Sequence, residues 1–450
     1  MTNKRTILIL EDNEQRIAAF ERAVATLGEG YELKLWRDAH SMRAECEPWF
    51  PTAVLISLDH DLNPAPGSAN DPGTGLDVAK FLGDFLPVCP VLLHSSNFDL
   101  VYSMHNELRF AGWTLDRIGP TGNDWIERSW VAAARKLIAE YPNTWKCMLP
   151  DDHAERVERM FLSLGGLSIG DGLGEMLCYQ SSHASAFLKG NDLPGGPWIH
   201  TDDTEMAISL VAVLRSHGCV DCDALAKRFV RRFERDPDRG YGSMTRKQLR
   251  EGLAGAKWQT LASAAFGGQG SMGNGSAMRV APLGAYFASD DPDRLVSEAN
   301  KSSVVTHTHP EGIAGAVTVA AAVAMAWRLR SAPNVEKSAS FFCEILRLTP
   351  ESQVKQKILE ASRMPADTNV QQVARELGCG ELVTAPDTVP FCLWAAAHNL
   401  GNFAEALSET IRVGGDCDTN AAIVGGIVAL SVGSEGIPET WLRAREPIIF

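Results

Sequence analysis

The stretch His200-Thr201-Asp202-Asp203-Thr204-Glu205-Met206, continuing as AISLVAVLRSH to His217, sets carboxylates and hydroxyls at the head of an apolar run with helical spacing. A second acidic segment, Gly414-Gly415-Asp416-Cys417-Asp418-Thr419, stands in the same relation to the apolar run Asn420–Leu430. Hard oxygen donors grouped in this way suit Mg²⁺ or Ca²⁺; a soft metal calls for Cys or His. Crowded carboxylates repel one another, so a cation is the simplest reason to cluster them. Read alone, the Thr201–Thr204 segment is equally a helix N-cap with a favourable charge–dipole interaction. If the fold joins the two segments, their four Asp and two of their Thr hold one or two divalent ions.

The rest of the composition narrows the function classes. A chain of 450 residues is long for one domain, and two are expected. The formal charge of -14 disfavours stable binding along a nucleic-acid backbone, which needs Lys and Arg against phosphate. The first residues run directly into the strand-like Thr6–Leu10, without a secretory signal. The longest apolar stretch, Ile313 to Trp327, is too short for a membrane span and reads as a buried helix. The scattered cysteines lack disulfide-scaffold spacing and fit a reducing, cytoplasmic setting, with no membrane partner expected. Cys219 and Cys222 form a lone CxxC, read as two cysteines at a helix end.

Residues 1–148 alternate short apolar strands with helical stretches. Ile7–Leu10 leads to Glu11-Asp12-Asn13, Ala53–Leu58 to Asp59-His60-Asp61, and Pro90–Leu93 to His94-Ser95-Ser96-Asn97. Polar residues at the carboxyl ends of strands mark the ligand edge of an open α/β sheet. Helical patterns Glu14–Leu27 and Leu76–Phe85 lie between, giving a doubly wound α/β domain. With acids after the first strand, Asp59 after the third and Ser95 after the fourth, this half resembles a response-regulator receiver domain. No Lys-Pro follows a fifth strand, where Trp113–Pro120 offers Arg117 instead. The segments LDHDL, TGLDVAKFL and PVLLHSSN are closer to a receiver-like group proposed to process cyclic phosphates. The resemblance implies a candidate site of Asp12, Asp59, His60, Asp61, His94 and Ser95, with His60 and His94 acting on a phosphate. The alternative is a degenerate receiver used for docking or regulation.

The run from Tyr141 to Asp152 reads as a linker, and from Ala154 strands fade into helical patterns: residues 154–450 form an all-α domain. Five segments of this half, SIGDGLGE (168–175), HTDDTEM (200–206), GNGSAMRVAPLG (273–284), THTHPEGIAGA (306–316) and GGDCDTNAAIVGG (414–426), recur in the order of the ADP-ribosylglycohydrolase family, which includes the dinitrogenase-reductase-activating glycohydrolases. The resemblance implies an all-α orthogonal bundle with a binuclear Mg²⁺ centre, Mn²⁺ able to substitute. The implied metal ligands are Thr201, Asp202, Asp203, Asp416, Asp418 and Thr419.

The glycine-rich loop from Gly267 to Gly275 permits close approach of backbone N–H groups to a phosphate and runs into a helix-like Ser276–Val280. Gly270, Ser271, Met272, Gly273, Asn274 and Gly275 are its implied ligand contacts, joined by His307; His309 caps or turns the chain before Pro310. Many relatives carry a functional Glu where Cys178 stands here, so Glu175 in the GLGE turn is the candidate replacement, with Asp203 or Asp418 as the alternative acid–base group. The expected activity is hydrolysis of the glycosidic bond between ADP-ribose and a modified protein side chain or other acceptor. The rival expectation is an immunity-type module that grips ADP-ribose or a toxin without cleaving it, with a regulatory receiver attached.

Overall fold

The computed structural model describes residues 5–64, 70–85, 87–143, 149–179, 194–332, 334–365 and 367–450. It divides into two compact units, Met1–Met148 and Leu149–Phe450. The linker expected from Tyr141 to Asp152 falls partly outside the described residues.

The first unit is a five-stranded parallel sheet of order β2-β1-β3-β4-β5, with β1 Arg5–Leu10, β2 Tyr31–Trp36, β3 Ala53–Leu58, β4 Val91–Leu93 and β5 Leu115–Arg117. Every residue of β3 is buried, as a strand covered on both faces requires. On one face Leu8, Leu10, Ile56 and Leu58 pack on Leu82 of the Gly75–Gly83 helix and Met104 and Leu108 of the Phe98–Phe110 helix. On the other, Ile7, Ile9 and Leu55 meet Phe20 of α1 (Glu14–Ala25) and Leu137 of the Val131–Glu140 helix. This is the receiver-like, doubly wound topology, and its strand order reverses between β1 and β3. The crevice at that point gathers the residues that follow those two strands.

The second unit is helical, and among its described residues β-structure is confined to the isolated bridges Trp198–Arg445 and Gly273–Thr384. Its axis is the helix His153–Tyr179, packed along Cys417–Val432. The GDGLGE segment is therefore helix and not the expected turn. Its glycines serve close packing: a β-carbon at Gly170 would strike the Ala421 carbonyl, and one at Gly174 would lie 2.8 Å from Asp418 Cα. The same close approach brings Cys178 and Cys417, 239 residues apart in sequence, to a Cα separation of 6.1 Å, where they form a disulfide. This corrects the expectation of unpaired cysteines, because the pairing follows from helix packing and leaves no trace in spacing. Cys222 opens the Cys222–Arg235 helix with its Sγ on Lys301 O.

Pro310–Arg328 is the one described helix long and apolar enough to cross a membrane, and 83% of its apolar window is buried inside this unit. His309 caps it, its Nδ1 accepting from Glu311 N at 3.1 Å. The expected helix at Ser276–Val280 is instead a 3-10 turn, Asn274–Ser276, followed by a helix at Ala281–Tyr286. Pro282 sets that start, being favoured in a first helical turn.

Candidate active site

The Asp202–His217 helix begins where the acid-headed sequence places it. Thr201 is its N-cap, with Oγ1 accepting from Asp203 N at 3.4 Å. The Thr201 hydroxyl lies 2.9 Å from Asp171 Oδ1 and 3.1 Å from Asp203 Oδ2. Asp171, fully buried on the long helix, also receives the backbone N–H groups of Thr201 and Thr204. Behind this helix end, Glu205 is gripped by His200 and Arg232; burial alone would raise its carboxyl, but these partners hold it down at about 2.

The second acidic segment enters its helix through Gly414 and Gly415, both at positive φ (84° and 74°). A β-carbon at Gly415 would collide with the Cys379 carbonyl, which accepts from Asp416 N at 3.1 Å. Asp416 Oδ2 in turn accepts from Asn274 Nδ2 at 2.6 Å, so the glycine loop and the acidic segment are tied directly. The Asn274 amide also reaches Thr388 Oγ1, which makes it an anchor of the site.

These parts line one cavity of about 600 Å³: Asp202 and Asp203 from one helix head, Asp416, Asp418 and Thr419 from the other, Gly270–Gly275 from the loop, and His307 and His309. Phe266, Leu382 and Val383 add exposed apolar surface to its lining. Thr201, Asp171 and Glu175 are not among the lining residues. Ser271 Oγ accepts from Gly273 N at 3.2 Å, shaping the loop. The Met272 carbonyl accepts from Ala385 N.

The acids raise one another's affinity for protons. Burial, with the charges of Asp418 and Asp171 added, pushes Asp202 well above the usual carboxylate range. Burial, Asp171 and Asp418 do the same to Asp203. Asp171 rises to about 6 and Asp416 to about 7, each through burial and then Asp418. Half-buried Glu175 rises to about 7 through burial, Asp418 and Asp171. Asp203 Oδ1 is buried without a hydrogen-bond partner among the described residues. Like charges in low dielectric plus an orphaned carboxylate oxygen are what a divalent cation would satisfy, and the all-oxygen donor set fits a hard ion. Among the described residues of this unit, no three such oxygens lie within 4.8 Å of one another, so the acids ring the space and do not meet at a point.

In the first unit, Asp12, Asp59, His60, Asp61, His94 and Ser95 do gather at the carboxyl edge of the sheet, and Glu11, Asp12 and Asp59 offer three oxygens within 4.8 Å. Arg16 of α1 lies across them, its Nη1 3.0 Å from Asp59 Oδ2 and 3.6 Å from Glu11 Oε2. Burial raises Asp59, and the Glu11 charge adds to it, against the opposing pull of His94 and Arg16. His60 Nδ1 is 2.8 Å from Asp61 Oδ1. His94 is sealed in the core, its Nδ1 on Ser57 Oγ at 2.8 Å and its Nε2 3.5 Å from Glu11. Asp171 and Arg16 escape sequence reading because each acts on partners remote in the chain. For Asp171 one signal exists, a carboxylate between glycines within an apolar run.

The sequence profile of the ADP-ribosylglycohydrolases matches residues 152–447. The chain is similar to the ADP-ribosylhydrolase ARH3 of Bos taurus, 30% identical over 55% of this chain and 74% of that protein. It is also similar to ARH3 of Mus musculus, 28% identical over 65% and 89%. The ADP-ribosylarginine hydrolase Tri1 of Serratia proteamaculans is 26% identical over 67% and 79%. Among solved structures, an ADP-ribosylglycohydrolase-related protein complex is 27% identical, with 65% of this chain and 94% of that chain covered and a TM-score of 0.47. The phosphorylated cyanobacterial phytochrome response regulator RcpA matches 31% of this chain and 99% of its own at 18% identity, with a TM-score of 0.24. With four of the five motifs lining one acid-ringed cavity and the profile covering residues 152–447 of the helical unit, the chain belongs to the ADP-ribosylglycohydrolase family and is a glycosyl hydrolase.

Proposed function

We propose that the helical unit is a Mg²⁺-dependent hydrolase that cleaves the bond between the anomeric carbon of ADP-ribose and a protein side chain or other acceptor. The observation that carries this reading is the sharing of one cavity by two acidic helix heads and a glycine loop. Asp202, Asp203, Asp416, Asp418, Thr201 and Thr419 would hold the ion. When bound, it supplies positive charge that organises ribose hydroxyls and an attacking water.

The chain's own residues do the rest. The Gly270–Gly275 loop, its shape held by the internal bonds of the Gly270, Gly273 and Asn274 N–H groups, lets the diphosphate approach its backbone closely, and the exposed Phe266 ring offers a stacking face for the base. The carboxylates stabilise the positive charge that develops on the ribose carbon. Glu175 does not itself line the cavity, but the cavity-lining Asp418 is near enough for its charge, with burial and Asp171, to push Glu175 up to about 7. On that proximity Glu175 is assigned the acid–base role, with Asp203 or Asp418 as the alternative. A panel of differently linked ADP-ribose substrates, each assayed with Mg²⁺ and with EDTA, tests the reading. Release of ADP-ribose from at least one linkage, abolished by EDTA, is expected; binding without release from any would favour the non-hydrolytic module.

For the amino-terminal unit the burial of His94 and the Arg16–Asp59 pair favour docking or regulation over catalysis. Labelling of Asp59 by acetyl phosphate would instead mark phosphotransfer, and opening of a cyclic phosphate would mark catalysis.

A further inference from the structure

His307 lines the cavity, yet nothing in its immediate sequence says which ring nitrogen carries its proton. The surrounding hydrogen bonds decide it. Arg279 is fully buried and always a donor. Its Nη1 donates to Gly275 O at 2.9 Å, and its Nη2 to Ser302 O at 2.8 Å and to Thr306 Oγ1 at 3.0 Å. Thr306 Oγ1 is thereby an acceptor toward Arg279, and its own hydroxyl proton must point elsewhere. Among the described residues the remaining partner of that hydroxyl is His307 Nδ1, at 2.7 Å. A donating hydroxyl requires an unprotonated Nδ1, which leaves the ring proton on Nε2.

Nε2 faces the glycine loop: β-carbons placed on Gly275 and Gly273 would lie 3.1 and 3.2 Å from it. Burial, with the Arg279 charge added, holds the imidazole neutral by pushing it down to about 3.

We infer that Arg279 and Thr306 are positioning residues that lock His307 as the Nε2–H tautomer, making it a hydrogen-bond donor to an acceptor oxygen of the ligand held by the glycine loop. The identity of that ligand as ADP-ribose rests on the proposed function; the tautomer does not. Because Arg279 also binds the Gly275 carbonyl, one guanidinium sets both the loop and the donor above it.

The test is ¹⁵N NMR of the full-length chain labelled at histidine, with the His307 signals assigned by their loss in His307→Asn. The expected pattern is a pyrrole-like Nε2 and a pyridine-like Nδ1 at pH 7. Thr306→Ser should keep it, and Thr306→Val should convert it to a mixture containing Nδ1–H. Affinity for free ADP-ribose, by calorimetry, should be unchanged in Thr306→Ser and about tenfold weaker in Thr306→Val. A pyrrole-like Nδ1 in the wild-type chain would overturn the inference without any variant having to fold. So would a Thr306→Val spectrum identical to wild type. Failure of ADP-ribose to bind the wild-type chain would instead remove the proposed function and leave the tautomer result standing.

Discussion

Asp171 caps a helix that is not its own. Its Oδ1 lies 3.0 Å from Thr201 N and 2.9 Å from Thr201 Oγ1, while its Oδ2 accepts from Thr204 N at 3.0 Å and from Thr204 Oγ1 at 2.5 Å. One carboxylate on the long helix thus fixes the start of the helix that bears Asp202 and Asp203. Asp171→Asn would turn one acceptor oxygen into a donor facing donors. The variant is expected to lose about 1–3 kcal/mol of stability and, by loosening the ligands it orients, about tenfold or more in Mg²⁺ affinity. Thermal melts and calorimetric Mg²⁺ titration check both; wild-type Mg²⁺ affinity in this variant would contradict the positioning role.

The glycine stripe makes a second prediction that separates packing from chemistry. Gly170 and Gly174 both press on the Cys417–Val432 helix, but only Gly174 abuts the Asp418 backbone. Overpacking costs about 1–3 kcal/mol at either position. Gly170→Ala should mainly lower the melting temperature, whereas Gly174→Ala should also displace Asp418 and reduce ADP-ribose release well beyond its loss of stability. Equal activity losses at equal stability would show that the stripe serves packing alone.

Proton–metal competition supplies the pH prediction. Asp171 at about 6, and Asp416 and Glu175 at about 7, lie above their unfolded values. In EDTA, their contribution to stability is therefore present below about pH 4 and is lost as pH rises through 6 and 7. A divalent ion binds the ionised carboxylates and offsets that loss. The rise in melting temperature on adding Mg²⁺ should accordingly be larger at pH 8 than at pH 5. Equal rises at the two pH values would place the ion away from this cluster.

Glu175→Gln removes the proton carrier while keeping its shape. We expect kcat to fall by about 10²-fold or more with a small change in KM, and the limb of the pH–rate profile near 7 to disappear. A wild-type kcat would transfer the role to Asp203 or Asp418.

Much of this architecture was legible in the chain itself, for reasons that differ by region. Ile7–Leu10 and Ala53–Leu58 read as strands because strands covered on both faces are continuous apolar runs. The helix from Asp202 was legible because its acidic head and its apolar body are contiguous. GDGLGE misled because glycine marks turns and close helix contacts alike, and the partner that distinguishes them, Ala421, lies far along the chain. Ser243–Leu253 was missed because SMTRKQLREGL carries too few apolar residues to show a helical period. Asp171, Arg279 and the Cys178–Cys417 pair depend on contacts between remote segments, which single-sequence periodicity does not encode.

The central claim is that the two acidic helix heads form a cation site required for cleavage. It is tested most directly by the rate of free ADP-ribose release from an ADP-ribosylated peptide, for wild type and Asp418→Ala, in Mg²⁺ and in EDTA. The predicted result is release by wild type in Mg²⁺, loss in EDTA that returned Mg²⁺ reverses, and release from Asp418→Ala about 10²-fold or more below wild type in Mg²⁺, with no recovery on adding more Mg²⁺. Undiminished release in EDTA, or from Asp418→Ala, would contradict the account.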